Sequence, residues 1–270
     1  MGVEPAVGRA CSFAIVLVAV ALLGAGNARA EERARRDMVL VPSGTYTPII
    51  RAKDEPERVP VAEFWLDVRP VTNAEFLAFV RAHPQWRRSK VSQLFSDSGY
   101  LAEWAGDLEL GPRAPAASPV VRVSWFAARA FARTQGKRLP TTAEWERAAA
   151  AGCATAVGAT EPGFAAGVLA WFARPTPSPL PDADAGRANF FGIHGLLDLV
   201  WEWVDDFNTA MVTGESRADT GLERDLFCGA GAAGARDPSD YAAFMRAGFR
   251  SALRASYTVP NLGFRCARSP

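Results

Sequence analysis

Charged and aromatic side chains that could bind a ligand are concentrated near the carboxyl end of this 270-residue chain. Arginines and aspartates alternate there beside Tyr241 and Phe244, a mixture suited to an apolar anchor with oriented polar contacts. We therefore treat this segment as a candidate binding site for a polypeptide or a small molecule. An ordinary surface loop with scattered charges is the alternative. The candidate binding residues are Arg236, Asp240, Tyr241, Arg246 and Arg250.

The sequence offers little support for a metal site or an acid/base pair that could catalyse a reaction. The two histidines, His83 and His194, are far apart in sequence, and an iron site of two His and one carboxylate would need both. The adjacent pair Asp205 and Asp206 could act as an acid/base dyad, although neighbouring exposed carboxylates are usually solvated. No Ser–His–Asp grouping and no phosphate-binding glycine loop stands out. Catalytic residues are therefore not assigned.

The N-terminus has the pattern of a secretory signal. Arg9 supplies a positive start, residues 13–23 form an apolar run, and Ala28–Ala30 is a small-x-small cleavage site. The apolar run is short for a membrane span, and a retained anchor is the alternative. We expect a signal peptide at 1–30 and a domain at 31–270. The mature protein is then periplasmic or secreted, with no membrane association.

The charge balance and the cysteines narrow the range of partners. Without residues 1–30 the chain holds 28 Lys and Arg against 28 Asp and Glu. This neutral balance argues against nucleic acid or an anionic membrane as the main partner. Three cysteines remain, Cys153, Cys228 and Cys266, so at least one thiol is unpaired or is paired between molecules. A Cys228–Cys266 disulfide and buried small hydrophobes are both open interpretations.

Local patterns supply the elements that must position these residues. Capping motifs predict helices over 72–82, 124–135 and 141–152. Strands are predicted at 38–46, 62–68, 247–255 and 262–267, with loops over 83–118 and 154–188. Neither an internal repeat nor a second domain boundary is visible. The pattern predicts a single α+β domain with much irregular structure.

Five segments in a fixed order resemble the formylglycine-generating enzyme, or sulfatase-modifying factor, family. The similarity covers nearly all of residues 38–268, and the combination of GKRLPT, AEWE, WEW and GFRC is specific. It implies the family fold, a mixed α+β domain related to C-type lectins. The matching segments are MVLVPSGTY at 38–46, DVRPVTNAEF at 67–76, PVVRVSW at 119–125 with GKRLPTTAEWE at 136–146, NFFGIHGLLDLVWEW at 189–203, and NLGFRCAR at 261–268.

The resemblance implies a copper chemistry from which this chain departs. Family members bind copper through two redox cysteines and oxidise a substrate cysteine. Those two positions fall near Gly234 and Arg246, and no cysteine lies between Cys228 and Cys266. A copper(I) bis-thiolate needs two sulfur ligands close together, so copper at a cysteine pair is not expected. Cys266 corresponds to a structural cysteine of the family, whose usual partner position is Ala132.

The resemblance also implies a calcium-binding turn. In the family an Asn in this turn and the Glu of WEW help to bind calcium, and Leu199 stands at the Asn position here. Asp198 or Glu202 would have to compensate, because calcium requires oxygen ligands. Calcium held by these two carboxylates is therefore the candidate cofactor.

Function follows from the resemblance in two alternative forms. The family binds an extended substrate peptide where Arg236–Arg246 lies, while Arg250 and Arg254 resemble structural arginines. Residues 196–208 and 240–268 are similar to a subgroup encoded beside copper nitrite reductases. This implies an accessory or maturation factor for denitrification, with a periplasmic copper enzyme as partner. The alternative is an oxidase with a non-cysteine site acting on a peptide or small molecule, as in the pyoverdine-maturation member.

Overall fold

A computed structural model describes residues 37–49, 56–207 and 238–270, apart from the side chains of residues 238–240. The predicted signal peptide, Cys228 and Arg236 lie outside the described residues. Within them, short strands and helices are joined by long irregular segments, as the α+β prediction required. The domain is mixed and single, and residues 83–118 are an ordered succession of turns with one short 3₁₀ helix.

In the described part of the chain, short strands form three small sheets. The first has the order β1-β4-β7, the second pairs β2 with β3 in antiparallel orientation, and the third pairs β5 with β6 in parallel orientation. The parallel pair aligns Trp201 with Leu262, so the WEW and GFRC segments lie side by side. The strands are β1 Met38–Val41, β2 Gly44–Tyr46, β3 Val59–Val61, β4 Phe64–Asp67, β5 Trp201–Glu202, β6 Leu262–Gly263 and β7 Ala267–Arg268.

Five α-helices are described, and local sequence explains where three of them begin. Thr72 and Thr141 each form a capping box with the glutamate three residues later, and Ser124 accepts the amide of Ala127. These three predicted helices are confirmed. None of the described helices is long and apolar enough to cross a membrane. The helices are α1 Asn73–Ala82, α2 Trp125–Thr134, α3 Thr142–Ala149, α4 Phe164–Phe172 and α5 Pro238–Ser251.

Two predictions of secondary structure are wrong. The expected loop over 154–188 contains α4, an apolar helix whose N-cap is Gly163. The expected strand over 247–255 is instead the last turn of α5 followed by turns. In both places the alanine-rich sequence has weak local signals, and packing of α4 against α5 selects the helical state.

An aromatic cluster forms the centre of the core. Phe76 packs within 6.3 Å of the rings of Phe79, Trp104, Phe131 and Phe264. These rings come from α1, α2, the long irregular segment and the C-terminal segment, so the core joins parts of the chain that are distant in sequence. Edge-to-face and offset contacts of this kind add to the stabilisation that burial alone provides.

Candidate functional site

A buried triad of Glu146, Arg246 and Arg250 connects α3 to α5. Arg246 holds the carboxylate with two nitrogens, Nε at 3.0 Å from Oε1 and Nη2 at 2.7 Å from Oε2. Arg250 adds a third bond from Nη1 at 2.5 Å to Oε1. The three side chains are 8%, 11% and 9% exposed, respectively. Two guanidinium groups therefore share one carboxylate away from solvent.

Helix α3 presents Glu146 because both the start and the buried face of the helix are specified locally. The Thr141 capping box fixes the first turn, and the amide of Thr142 donates to Asp206 at 2.6 Å. Trp145, Glu146, Ala148 and Ala149 are the buried residues of this helix. Glu146 therefore faces the protein interior, where a carboxylate needs cationic partners.

Helix α5 is fixed by aromatic packing as well as by the triad. The ring of Trp201 lies between Phe249 of α5, at 4.3 Å, and Phe172 of α4, at 5.3 Å, and is stacked on both. Arg246 and Arg250 are four residues apart and therefore lie on the same face of α5. The contact of Phe249 with Trp201 orients the helix so that this face points towards α3. Because of this i, i+4 spacing, both arginines can donate hydrogen bonds to Glu146.

The electrostatics of the triad are governed by charge pairing in a buried place. Burial by itself opposes ionisation of Glu146, but the charges of Arg246 and Arg250 outweigh it and lower the pKa of Glu146 to about 2. Burial, reinforced by the Glu146 charge, raises the pKa of the nearby Tyr46 phenol to about 12. Near neutral pH the triad is fully charged and Tyr46 is a neutral hydroxyl. The triad has a net charge of plus one.

A second ion pair lies beneath the triad, with Trp145 between the two. The indole nitrogen of Trp145 donates to Glu202 at 2.7 Å, and the guanidinium of Arg250 lies 4.7 Å from the Trp145 ring centroid. Arg265 holds the Glu202 carboxylate through Nε at 2.8 Å and Nη2 at 2.8 Å, and both side chains are fully buried. The WEW and GFRC motifs are therefore joined by an internal ion pair that supports the candidate site.

Two pockets adjoin the triad and share Glu146 in their linings. The polar pocket, of about 140 Å³, lies towards β2 and the start of α3. Its polar lining consists of Tyr46, Thr142, Glu146, Asp206, Arg250 and Ser251. The alanine pocket, of about 160 Å³, lies between α3, α4 and α5, with Glu146 and Arg246 in its wall. The rest of its lining consists of Ala149, Ala150, Ala159, Ala165 and Ala242, with Val157, Phe164, Val168 and Leu197.

The structure separates the candidate binding residues that the sequence grouped together. Arg246 and Arg250 meet at the triad, where both pair with Glu146. Tyr241 is 37% exposed on α5 and lines neither pocket. Asp240 lies in the first turn of α5, and its side chain is not described, while Arg236 lies outside the described residues. The described part of the candidate binding segment is thus a helix, and its buried face carries Arg246 and Arg250.

The described residues do not fit copper bound to a cysteine pair. Arg246, which stands near one of the family's thiol positions, is engaged by Glu146, and the other position, near Gly234, lies outside the described residues. Among described residues the thiols are the exposed Cys153 and the fully buried Cys266. Cys266 is a free thiol in this structure, and Cys228, its predicted disulfide partner, lies outside the described residues.

Of the two predicted calcium ligands, Asp198 and Glu202, the second is already bonded within the protein. Glu202 directs both carboxylate oxygens to Arg265 and Trp145, so this residue does not fit a calcium site. Burial raises the pKa of Asp198, with Arg265 and His194 acting in the opposite sense. Within the described ranges no group of three or more His, Cys, Asp or Glu side chains could hold a metal ion.

The other chemical candidates have structural partners. His83 ends α1, with Nδ1 3.0 Å from the carbonyl of Phe79, and His194 places Nδ1 3.2 Å from the carbonyl of Gly186. Asp205 lies 3.6 Å from Arg129, whereas Asp206 accepts from Thr142. The two aspartates serve different partners, which does not support an acid/base dyad.

Sequence reasoning missed the central residue of the site. Glu146 follows Trp145 in the AEWE motif, and its position on the same helix face as Ala149 could have marked it as a buried carboxylate. The apolar wall contributed by α4 was also missed, since this helix was predicted to be a loop. Tyr46 and Asp206 reach the site only through the tertiary fold.

The sequence of this chain is similar to one protein family and to several known proteins. Residues 25–270 match the family described as "Sulfatase-modifying factor enzyme 1-like domain". The chain is 31% identical over 251 residues to the formylglycine-generating enzyme of Streptomyces coelicolor, covering 76% of this chain and 77% of that protein. It is 33% identical over 194 residues to hercynine oxygenase of Mycolicibacterium smegmatis, covering 61% and 44%, respectively.

Coverage of other relatives is more limited. The chain spans less than half the length of several curated relatives that it matches, 28% in two of them and 44% in the oxygenase. Among solved structures, PvdO from Pseudomonas aeruginosa superposes with a TM-score of 0.46 at 18% identity, covering 88% of this chain and 97% of PvdO.

Proposed function

This chain belongs to the sulfatase-modifying factor enzyme 1-like family, and we propose that it is an exported binding or maturation factor rather than a thiol oxidase. The observation that carries the proposal is the Glu146–Arg246–Arg250 triad, in which Arg246 stands near the position that the sequence resemblance assigns to a redox thiol. A guanidinium held by a carboxylate can bind and orient a partner, but it cannot undergo thiol redox chemistry.

In this role the residues of the site have separate tasks. The triad supplies fixed positive charge, the polar pocket offers hydroxyl and carboxylate partners, and the alanine pocket offers an apolar surface. Sites of this kind combine apolar lining with a few oriented polar groups, as ligand sites generally do. The ligand of this site is a polypeptide or a small molecule.

The finer proposal is an accessory role in periplasmic denitrification, with a copper nitrite reductase as partner. Its support is the similarity of residues 196–208 and 240–268 to the subgroup encoded beside such reductases. Deletion of the gene in a denitrifying host should lower periplasmic nitrite reductase activity, and the wild-type gene should restore it. A Cys153→Ser/Cys228→Ser gene should restore it equally, because no thiol takes part. Unchanged activity after deletion would refute the denitrification role.

An oxidase with a non-cysteine site is the second candidate. Its support is the 33% identity to a relative named as an oxygenase. The discriminating measurement is oxygen uptake by the purified protein with periplasmic extract from the deletion strain. Uptake above that of heat-inactivated protein would favour the oxidase, and equal uptake would favour the binding factor.

A further inference from the structure

The alanine pocket has a charged wall with unused hydrogen-bonding capacity. Arg246 bonds Glu146 through Nε and Nη2, and its Nη1 has no hydrogen bond to any described residue. The triad as a whole holds two arginines against one glutamate, so its own formal charge is plus one. Buried guanidinium groups are stabilised by anionic acceptors, and carboxylates match their geometry.

The opposite walls of the pocket are apolar and leave room for a sizeable group. Five alanines together with Phe164, Val168 and Leu197 surround a space of about 160 Å³. A cavity of about 150 Å³ lined by apolar side chains is large enough to hold benzene. The space therefore accommodates a phenyl or a branched aliphatic group next to the Arg246 guanidinium.

The free Nη1 of Arg246 and the apolar space beside it together indicate a class of ligand. This inference rests on the proposed binding function. We propose that the alanine pocket binds a carboxylate bearing a phenyl-sized or leucyl-sized apolar group, with the carboxylate on Arg246 and the apolar group among the alanines. A carboxylate of charge minus one neutralises the surplus of the triad. A phosphate monoester, with about −1.5 to −2 charges at neutral pH, would leave a buried net negative charge. The carboxylate can belong to a free small acid or to the C-terminal residue of a polypeptide.

The test uses the full purified protein and matched probes. 3-Phenylpropionate should raise the Tm in a concentration-dependent way, because a ligand that binds only the folded state stabilises it. The neutral 3-phenylpropionamide should raise it far less, since it lacks the charge, and so should propionate, since it lacks the ring. A short peptide ending in Phe with a free carboxylate, compared with its C-terminal amide, separates the polypeptide source from the free acid.

Two alanines on α5 provide matched variants. Ala242 lines the alanine pocket and Ala243 lines the polar pocket. Ala242→Leu should abolish the Tm shift by filling the space, whereas Ala243→Leu should retain it. If Ala242→Leu does not fold, Ala165→Leu on α4 fills the same space from the other wall.

The Tm measurements test the proposed ligand class without testing the proposed function. An equal shift with acid and amide, a shift retained in the pocket-filling variant, or no shift with any acid would overturn it. Whether the gene restores nitrite reductase activity to the deletion strain is measured independently. A protein that restores this activity but binds no acid would refute only the proposed ligand class.

Discussion

Glu146 and Arg246 are 100 residues apart in sequence, yet they form a buried two-pronged ion pair with Nη2 2.7 Å from Oε2. This contact joins the AEWE helix to the helix that stands where the family's catalytic segment is expected. It makes the site dependent on charge rather than on thiols. The consequences for stability, pH response and reactivity can each be measured.

Glu146→Gln should destabilise the protein by about 3 kcal/mol at neutral pH, because it leaves two buried guanidinium groups without their anion. Urea unfolding of the variant and the wild type measures the difference. The exposed Glu109→Gln is the matched control and should change stability by less than about 0.5 kcal/mol. Equal effects of the two substitutions would show that the triad does not stabilise the fold.

The contribution of Glu146 should also depend on pH. Its pKa falls from an ordinary 4.5 to about 2 in the folded protein, so ionisation favours folding. The stabilisation is complete above pH 4.5 and is lost as the pH falls towards 2. The difference in unfolding free energy between wild type and Glu146→Gln should therefore shrink over this interval. A difference that stays constant from neutral pH down to the acid limit would contradict the assigned pKa.

The two described thiols should differ sharply in reactivity. Cys153 is exposed, whereas burial and the neighbouring Asp67 raise the pKa of the fully buried Cys266. Iodoacetamide under native conditions should label Cys153 quickly and Cys266 only after denaturation, as peptide mass spectrometry will show. Rapid native labelling of Cys266 would mean that the C-terminal segment opens readily.

Stability should not depend on calcium at the WEW turn. Glu202 gives both oxygens to Arg265 and Trp145, so the pair needs no metal to be satisfied. We expect the same Tm in EGTA and in excess calcium for the wild type and for Asp198→Asn. A calcium-induced rise in the wild type that is absent from Asp198→Asn would establish a site at Asp198.

How much of the fold could be predicted depended on the range of the interactions involved. The capping boxes at Thr72 and Thr141 act within one helical turn and were predicted correctly. Gly136, with a φ of 65°, follows the end of α2, which agrees with the predicted helix over 124–135. The sequence pattern predicts a strand over 247–255, where the structure has the end of α5, because the conformation there depends on Glu146 and Trp201, which are distant in sequence.

The same distinction applies to the site. The sequence singles out Arg246 and Arg250 as candidate binding residues. The structure places Arg246 in the buried triad, so truncation of Arg246 should destabilise the fold as well as alter binding. Exposed Tyr241 remains the residue of that segment at which alanine should be tolerated.

The central claim is that this family member uses its cleft without thiol redox chemistry, and a formylglycine assay tests it most directly. The purified mature protein is incubated with copper, oxygen and a Cys-x-Pro-x-Arg peptide, beside an active formylglycine-generating enzyme as positive control. Mass spectrometry should detect no aldehyde above the no-enzyme level in the sample with this protein. Aldehyde formation that requires copper and this protein would contradict the account.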